Sequence, residues 1–392
     1  MESILLKDII QKPISGEWGL EDLYGTGIPV LRTANFTNEG IINFENVVTR
    51  NISPSKLKGK LLQKGDILLE KSGGSDRQPV GRVVYFDGQA DKYGFNNFTS
   101  ALRISDLTMW NPKYIFYALY ANYHHGGTRK YENKTTGLHN LKVDLFIRSF
   151  SVPYATLIKQ NEIVKKLDLL NHLENVCEVQ LQKLDELIKS RFIEMFGDLI
   201  NEPKYPGIKL GSLGVMITGG TPSRKHDEYY GGNIPFISTP CLGSNFISEK
   251  NVQNYLTEAG VKNSATHKIP PYSLMVGNRV GVGKSSINTC EMCTNQDILS
   301  FVHIDTSRFD LLFLKKVIDQ YSPYFDEHKR GATIQGVPSK VIKDSMVPDV
   351  PLEMQKRYTA LVKQSDKSKM AVQKSLDELE TLKKSLMQTY FG

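Results

Sequence analysis

The chain has 392 residues, of which 40% are hydrophobic and 23% charged, and its formal net charge is +7. This length suits two or three globular domains, and the composition excludes a collagen-like or disordered chain. The mildly basic charge permits a nucleic-acid partner without requiring one. No apolar run approaches the roughly 18 residues of a membrane-spanning helix. The opening MESILLKDIIQK also lacks the layout of a signal peptide. A cytoplasmic protein without a membrane partner is therefore expected.

Short apolar or β-branched runs alternate with turn residues in the first part of the chain. They predict strands at 28–33, 66–70, 82–86 and 98–104. The segment Asn111–Tyr123 predicts a helix, and Arg308–Tyr321 is its counterpart later in the chain. The globular parts are therefore expected to be of the α+β class, with mixed helices and strands.

The sequence repeats itself after about half its length. IPVLRTANFTNEGIINFENV (28–47) resembles IPFISTPCLGSNFISEKNV (234–252), and KGDILLEKSGG (64–74) corresponds to PYSLMVGNRVG (271–281). The segments KLDELIKSRFIEMFG (183–197) and SLDELETLKKSLMQTYFG (375–392) give the clearest match. This period is too long for a solenoid and indicates domain duplication. Each copy is then a globular part followed by a helix.

Each copy ends in a long segment whose apolar residues recur at alternating steps of four and three. Such a stripe over about five heptads favours a coiled-coil seam. A core helix in each domain is the alternative. The chain is thus divided into globular domains at 1–155 and 198–350 and long helices at 156–197 and 351–392. The expected pairing residues are Leu167, Leu170, Leu181, Leu184, Ile188, Val362, Val372, Leu376, Leu379 and Leu386.

Four segments approach catalytic or ligand-binding motifs but lack an essential feature of each. GNRVGVGKS (277–285) has one residue too many for a phosphate-binding loop. IPPY (269–272) has Ile269 where the Asn-Pro-Pro-Tyr motif of amino-methyltransferases has asparagine. The serine of SGGSDR (72–77) has no placed histidine and acid. CEMC (290–293) lacks a second pair of zinc ligands and predicts a buried pair at a strand edge. No catalytic residue, metal or cofactor is expected.

Polar loops occur at matching places in the two halves. They combine Arg and Lys, which engage phosphates and guanine edges, with Asn, Gln, Ser and Thr, which contact adenine or the DNA backbone. For residues 223–225, a turn that only packs the domain is the alternative. The expected DNA contacts are Lys71, Ser72, Arg77, Arg82, Asn97, Arg129, Lys130, Lys134, Thr136 and Asn140 in the first half, and Ser223, Arg224, Lys225, Asn278, Arg279, Lys284, Gln296, Arg330, Thr333 and Gln335 in the second.

Several of these segments together resemble one family, the DNA-specificity subunit of type I restriction–modification enzymes. They are GGTPSRKHDEYYGGNIPFIST (219–239), the helix end KLDELIKSRFIEMFGD, and the helix openings VPYATLIKQNEIVKKL and VPLEMQKRYTAL. The similarity covers essentially the full chain. The first half departs from it, with SGEWGLEDLYGTGIPVLRT in place of the Gly-Gly-Thr-Pro-Ser run.

The resemblance implies a non-catalytic subunit with two target-recognition domains in tandem. Each domain would read one half of a bipartite site in double-stranded DNA. The long helices would pair as an antiparallel coiled coil, set the spacing and dock two methyltransferase subunits, which two motor–nuclease subunits join. S-adenosylmethionine, ATP and Mg²⁺ would bind those partners. The alternative from a different class is a coiled-coil adaptor that binds proteins and has no sequence-selective DNA binding.

Overall fold

The computed structural model describes residues 2–135, 138–252, 254–331 and 335–392, with the side chains at 134, 135 and 138 excepted. The chain divides into two compact units. Unit 1 comprises Met1–Glu178 and Lys374–Gly392, and unit 2 comprises Val179–Gln373. Each unit therefore contains one globular part and half of each long helix.

The globular part of unit 1 contains thirteen strands and three α-helices among its described residues. The strands are β1 Ser3–Leu5, β2 Ile14–Ser15, β3 Leu20–Glu21, β4 Ile28–Leu31, β5 Val48–Asn51, β6 Ile67–Glu70, β7 Ser72–Gly74, β8 Val83–Tyr85, β9 Gly94–Phe95, β10 Thr99–Leu102, β11 Glu132–Thr135, β12 Leu138–Leu141 and β13 Ser151–Pro153. The helices are α1 Pro54–Leu57, α2 Pro112–His124 and α3 Val143–Ser149.

These strands form three sheets and one pair. The sheet orders are β2-β10-β6-β8, β3-β5-β4-β9 and β11-β12-β7, and β1 pairs with β13. β4 and β9 run parallel, whereas the other pairs are antiparallel. Helix α2 packs its buried face on the β6–β8 side of the first sheet. The four strands predicted in this half are confirmed as β4, β6, β8 and β10.

The first long helix, α4, runs from Leu157 to Phe196, and the second globular part follows it. Its strands are β14 Gly197–Asp198, β15 Glu202–Pro203, β16 Gly207–Lys209, β17 Val215–Thr218, β18 Tyr230–Ile237, β19 Phe246–Ile247, β20 Asn254–Leu256, β21 Lys268–Ile269, β22 Leu274–Gly277, β23 Ser285–Asn288, β24 Met292–Thr294, β25 Ile298–Val302 and β26 Met346–Pro348. Its helices are α5 Glu258–Lys262, α6 Leu311–Glu327 and α7 Ser339–Lys343, and the second long helix is α8 Leu352–Phe391.

The sheet orders of unit 2 repeat those of unit 1. The order β17-β25-β22-β23 reproduces β2-β10-β6-β8, with β19 added at the edge. The order β20-β18-β24 reproduces β5-β4-β9, including the parallel pairing of its last two strands. β16 and β26 pair as β1 and β13 do. The predicted duplication is therefore confirmed by topology.

A buried glutamine near the start of each long helix forms a hydrogen bond between the helix and the globular part. Gln160 accepts a hydrogen bond from the backbone N–H of Asn111, which precedes α2, at 2.8 Å. Gln355 accepts the equivalent bond from Asp310, which precedes α6, at 2.9 Å. Neither glutamine side chain is exposed to solvent. The shared bond shows that the repeat extends to individual side chains.

The long helices pair within each unit. In unit 1, Leu167, Leu170 and Leu376 are buried, and Lys383 donates to a carboxylate oxygen of Glu174 at 2.7 Å. In unit 2, Tyr358 and Val362 pack in one core with Ile188, Phe192 and Phe196 of α4. The early part of each helix thus contacts the late part of the other, which confirms antiparallel pairing. The remaining predicted seam positions are half-buried: Leu181, Leu184, Val372, Leu379 and Leu386.

The alternative interpretation, in which each long helix is a core helix of its domain, applies to the ends of the helices. Ile163, Val164 and Leu167 join the core of unit 1, and Phe192 and Tyr358 join the core of unit 2. The middle of each helix shows only the narrow seam. The coiled-coil interpretation therefore applies to the middle of each long helix, and the core-helix interpretation applies to the ends.

Two predicted local features differ from the structure. Helix α6 continues past Tyr321 to Glu327 and contains Pro323, whose missing N–H ordinarily interrupts a helix. Buried Phe325 holds this last turn on the core. The spacing of CEMC predicts a pair at a strand edge, but Cys293 lies in β24, an interior strand. Cys290 precedes that strand and is half-buried. Among the described helices, none is both long and apolar enough to cross a membrane.

Candidate nucleic-acid interface

Three turns of unit 2 meet at one corner and are held by backbone hydrogen bonds. Asn278, directly after β22, donates to the carbonyl of Asp297 at 3.0 Å. The carbonyl of Asn278 accepts from Val337 at 2.7 Å. Arg330 and Gly336 exchange backbone bonds of 2.8 and 2.9 Å. Because these backbone groups bond to one another within the frame, the side chains of the turns are not needed to satisfy them and can make other contacts.

The same frame exists in unit 1. Lys71, directly after β6, donates to the carbonyl of Phe98 at 2.9 Å, and its own carbonyl accepts from Leu141 at 2.9 Å. These bonds place Lys71 where unit 2 has Asn278, and Phe98 where it has Asp297. The two units therefore present different side chains from one shared backbone arrangement.

A glycine begins a further loop at this corner in both units. Gly219 lies so close to the carbonyl oxygens of Thr294 and Asn295 that a Cβ atom would collide with them. Gly16 lies equally close to the carbonyls of Phe95 and Asn96. The first half therefore keeps the leading glycine of the Gly-Gly-Thr-Pro-Ser run, although the residues around it differ.

The turns of unit 2 enclose a cleft of about 540 Å³. Four predicted DNA contacts line it: Asn278, Arg279, Gln296 and Arg330. Arg279 and Arg330 supply guanidinium groups, and Asn278 and Gln296 supply amides, the groups that bind base edges and phosphates in DNA complexes. Gln335, also predicted, is exposed and directly precedes Gly336.

The loop that follows Gly219 borders the same cleft. Thr221 donates to the side-chain oxygen of Gln296 at 2.6 Å, and the hydroxyl of Tyr230 donates to the carbonyl of Pro222 at 2.6 Å. These bonds anchor the base of the loop. Ser223, Arg224 and Lys225 at its tip are exposed, which favours a contact surface over a turn that only packs the domain.

The corner of unit 1 brings together Lys71, Ser72 and Asn140. Ser72 donates to the amide oxygen of Asn140 at 2.6 Å, and the Lys71 ammonium donates to Ser15 at 2.8 Å. Partial burial, with a smaller effect of the neighbouring Lys60, lowers the pKa of Lys71. Other predicted contacts of this unit are exposed: Arg77, Asn97, Arg129 and Lys130.

The guanidinium of Arg82, a predicted DNA contact, is engaged inside unit 1. Its guanidinium donates to the carbonyls of Thr33 and Phe36 at 2.9 and 3.0 Å and forms an ion pair with buried Glu70. Burial raises the pKa of Glu70, and the Arg82 charge opposes this rise. Arg82 is better explained as a packing residue than as a DNA contact. Its equivalent, Lys284, bonds through its carbonyl to Gly277, and its side chain is exposed.

Replacing Arg82 with alanine is expected to destabilise unit 1 by about 3 kcal/mol, because the buried Glu70 carboxylate loses its charged partner. Denaturation monitored by circular dichroism measures this. Arg77→Ala is the matched control, since that arginine is exposed in the same turn and its loss should cost under about 0.5 kcal/mol. Equal stability of the two variants would contradict the packing role.

Three predicted contacts cannot be placed. Thr136 and Thr333 lie outside the described residues, as does the side chain of Lys134. Two residues that sequence reasoning missed stand at the equivalent turn position. Phe98 is 46% exposed beside Lys71, and Asp297 forms an ion pair with Arg279. Phenylalanine and aspartate are not residue types from which a DNA contact is inferred. Only the repeated backbone frame identifies this position.

Part of the chain is similar in sequence to known proteins. Residues 205–381 match the family described as the type I restriction modification DNA specificity domain. The type I restriction enzyme MjaIX specificity subunit of Methanocaldococcus jannaschii is 26% identical over 155 residues, which are 39% of this chain and 36% of that protein. The alignment thus spans about a third of that relative's length.

Two solved structures share the fold over 100% of this chain. One, from work on complex assembly and conformational transition of the type I R-M system, has a TM-score of 0.61, 16% identity and 97% of its own chain covered. The S subunit of a type I restriction–modification system from M. genitalium has a TM-score of 0.59, 12% identity and 96% covered. The resemblance to the specificity subunits of type I restriction–modification enzymes is thereby confirmed, with the specificity domain at residues 205–381 and the fold of an S subunit over the whole chain.

Proposed function

We propose that this chain is the DNA sequence-specificity subunit of a type I restriction–modification complex. Each globular part, with boundaries near 1–155 and 198–350, reads one half of a bipartite target in double-stranded DNA. The chain itself is non-catalytic. Methylation, ATP hydrolysis and cleavage belong to two methyltransferase subunits and two motor–nuclease subunits.

The observation that carries the proposal is the repeated loop frame. The same backbone bonds hold the turns at Lys71 and Asn278, yet the side chains that they present differ. A constant scaffold with variable polar loops is suited to reading two unlike base sequences, because base edges are distinguished by donor and acceptor patterns. A protein-binding adaptor has no need for polar side chains that differ between two corners built on the same backbone frame.

The long helices are proposed to set the distance between the half-sites and to dock the methyltransferase subunits. In both units the early part of one long helix packs against the late part of the other, so the two repeats are built alike. Duplex DNA has local twofold symmetry, so two like domains can contact opposite strands.

Mapping of modified bases tests the function. The chain is co-expressed with its methyltransferase subunit in a bacterium that lacks such enzymes, and the genome is sequenced by a method that detects methylated bases. A split motif with a fixed spacer that depends on this chain is the expected result. Methylation that is identical with and without the chain, while the two subunits copurify, would instead favour the adaptor.

Arg224→Ala is expected to weaken binding of the assembled complex to its target several-fold and to reduce the salt dependence by about one counterion. The physical reason is loss of one phosphate contact from the exposed loop tip. Fluorescence anisotropy across a series of salt concentrations measures both effects. Arg308→Ala is the control, since Arg308 is an exposed arginine of the same unit that pairs with Asp349, away from the cleft. Unchanged affinity and methylation in Arg224→Ala would refute the contact.

A further inference from the structure

An arginine and an aspartate meet at the cleft of unit 2. Nη1 of Arg279 lies 3.5 Å from Oδ1 of Asp297, with side chains 52% and 14% exposed. The other carboxylate oxygen of Asp297 accepts from the side-chain amide of Asn295 at 3.3 Å. The side chain of Asn295 therefore helps to fix the Asp297 carboxylate, while Arg279 lines the cleft.

The pair is incompletely hydrogen-bonded. Oδ1 of Asp297 is buried, and no residue that the structure describes gives it a hydrogen bond of good geometry. The amide oxygens of Asn278 and Asn295 are in the same situation, again among the described residues. A buried acceptor without a donor costs free energy, so these oxygens favour an arrangement in which a donor moves closer. The nearby donor is the guanidinium of Arg279.

Gly336 fixes the stem of the arginine. A Cβ atom at position 336 would lie 2.7 Å from Cγ of Arg279 and 2.8 Å from the carbonyl oxygen of Asn278. The aliphatic part of Arg279 thus packs directly on the backbone at Gly336. The stem of Arg279 packs on Gly336 and its Nη1 faces Asp297. No residue that the structure describes bonds to the opposite edge of the guanidinium, so this edge is available to a ligand.

We infer that Arg279 reads a guanine in the half-site bound by unit 2, with Asp297 as the residue that positions it. This rests on the proposed function. A guanidinium edge with two parallel N–H donors matches O6 and N7 of guanine in the major groove. If the guanidinium is oriented before DNA binds, less conformational entropy is lost on binding. A base that offers a hydrogen-bond donor at that place is disfavoured, because it would face the donors of the guanidinium.

Unit 1 cannot make this contact at the equivalent corner. Ser72 follows Lys71 where Arg279 follows Asn278, and Phe98 takes the place of Asp297. The guanine contact is therefore assigned to one half-site only, which gives the experiment an internal reference.

The test uses the complex of the full chain with its methyltransferase subunits, acting on a DNA library randomised at both half-sites. The variants are Arg279→Lys, which keeps the charge but loses the planar fork, and Asp297→Asn, which removes the positioning charge. The controls are Arg308→Lys and Asp349→Asn, a second exposed Arg–Asp pair of the same unit, joined at 3.0 Å. Sequencing of the methylated fraction gives base preference at every position.

The expected result is a loss of about tenfold or more in preference for guanine at one position of one half-site. The other half-site and the spacer should stay as in the unsubstituted chain, and both controls should leave all preferences unchanged. Retained preference at every position in Arg279→Lys would overturn the inference, as would equal loss at all positions. Failure of the unsubstituted chain to give any split motif would instead overturn the proposed function. Should Asp297→Asn not assemble, Arg279→Lys alone decides.

Discussion

Tyr358→Ala is expected to destabilise unit 2 by about 4 kcal/mol, the largest effect of any single substitution considered for this chain. Tyr358 is fully buried. Its ring lies edge-on to Phe192, Phe196 and Phe313, with centroids 5.4, 5.6 and 6.4 Å away. The residue thus joins both long helices to α6, and its truncation leaves a cavity that these aromatic rings cannot fill without repacking.

Tyr358→Phe separates the ring from the hydroxyl. Burial raises the pKa of Tyr358, and its hydroxyl donates a long hydrogen bond of 3.4 Å to the carbonyl of Ile188. Loss of that bond should cost under about 1 kcal/mol. Hydrogen exchange of α6 and the start of α8 measures the local free energy of opening, which avoids assuming two-state unfolding of the whole chain. Equal protection in the alanine and phenylalanine variants would show that the ring does not hold these helices.

Lengthening both long helices by four residues is expected to change the target itself. Insertions after Gln180 of α4 and Ser375 of α8 add about 6 Å of helix, close to two base pairs at roughly 3.4 Å each. Four residues advance a helix by slightly more than one turn, so the apolar seam continues with a modest change of phase. The methylated motif should keep both half-sites and gain about two base pairs of spacer.

The control inserts the same four residues into the exposed turn at 87–91 of unit 1, which lies outside both helices. That variant should methylate the original motif. A helix-insertion complex that still methylates the original spacing, with both half-sites intact, would mean that the helices do not set the distance.

The sequence predicts well those features that depend on local pattern. The four strands of the first half, the duplication and the helix seam follow from apolar spacing, which is also what packing requires. Glu174 lies four residues after Leu170, and Lys383 lies four residues after Leu379, so both fall on the seam, where they form an ion pair. In contrast, the sheet β11-β12-β7 has no described counterpart in unit 2, so the repeat alone could not predict it.

The site was less predictable because its residues are defined by distant partners. Gly16 and Gly219 serve one purpose, yet that purpose is the close approach of a turn about 75 to 80 residues further along the chain. Arg82 reads as a DNA contact until its bonds to Thr33 and Phe36 are seen. Asp297 reads as an unfavourable charge near DNA until its pairing with Arg279 is known. In each case the role of the residue depends on its tertiary contacts and not on its residue type.

The division of the chain has a consequence for its synthesis on the ribosome. Unit 2 is one continuous segment, Val179–Gln373, whereas unit 1 is completed by Lys374–Gly392. Met387 belongs to the core of unit 1, so that core lacks a component until all of unit 2 has been made. The half of the chain that emerges first is therefore the half that finishes folding last. A nascent chain that ended just after Gln373 would contain all residues of the second unit and an unfinished first unit.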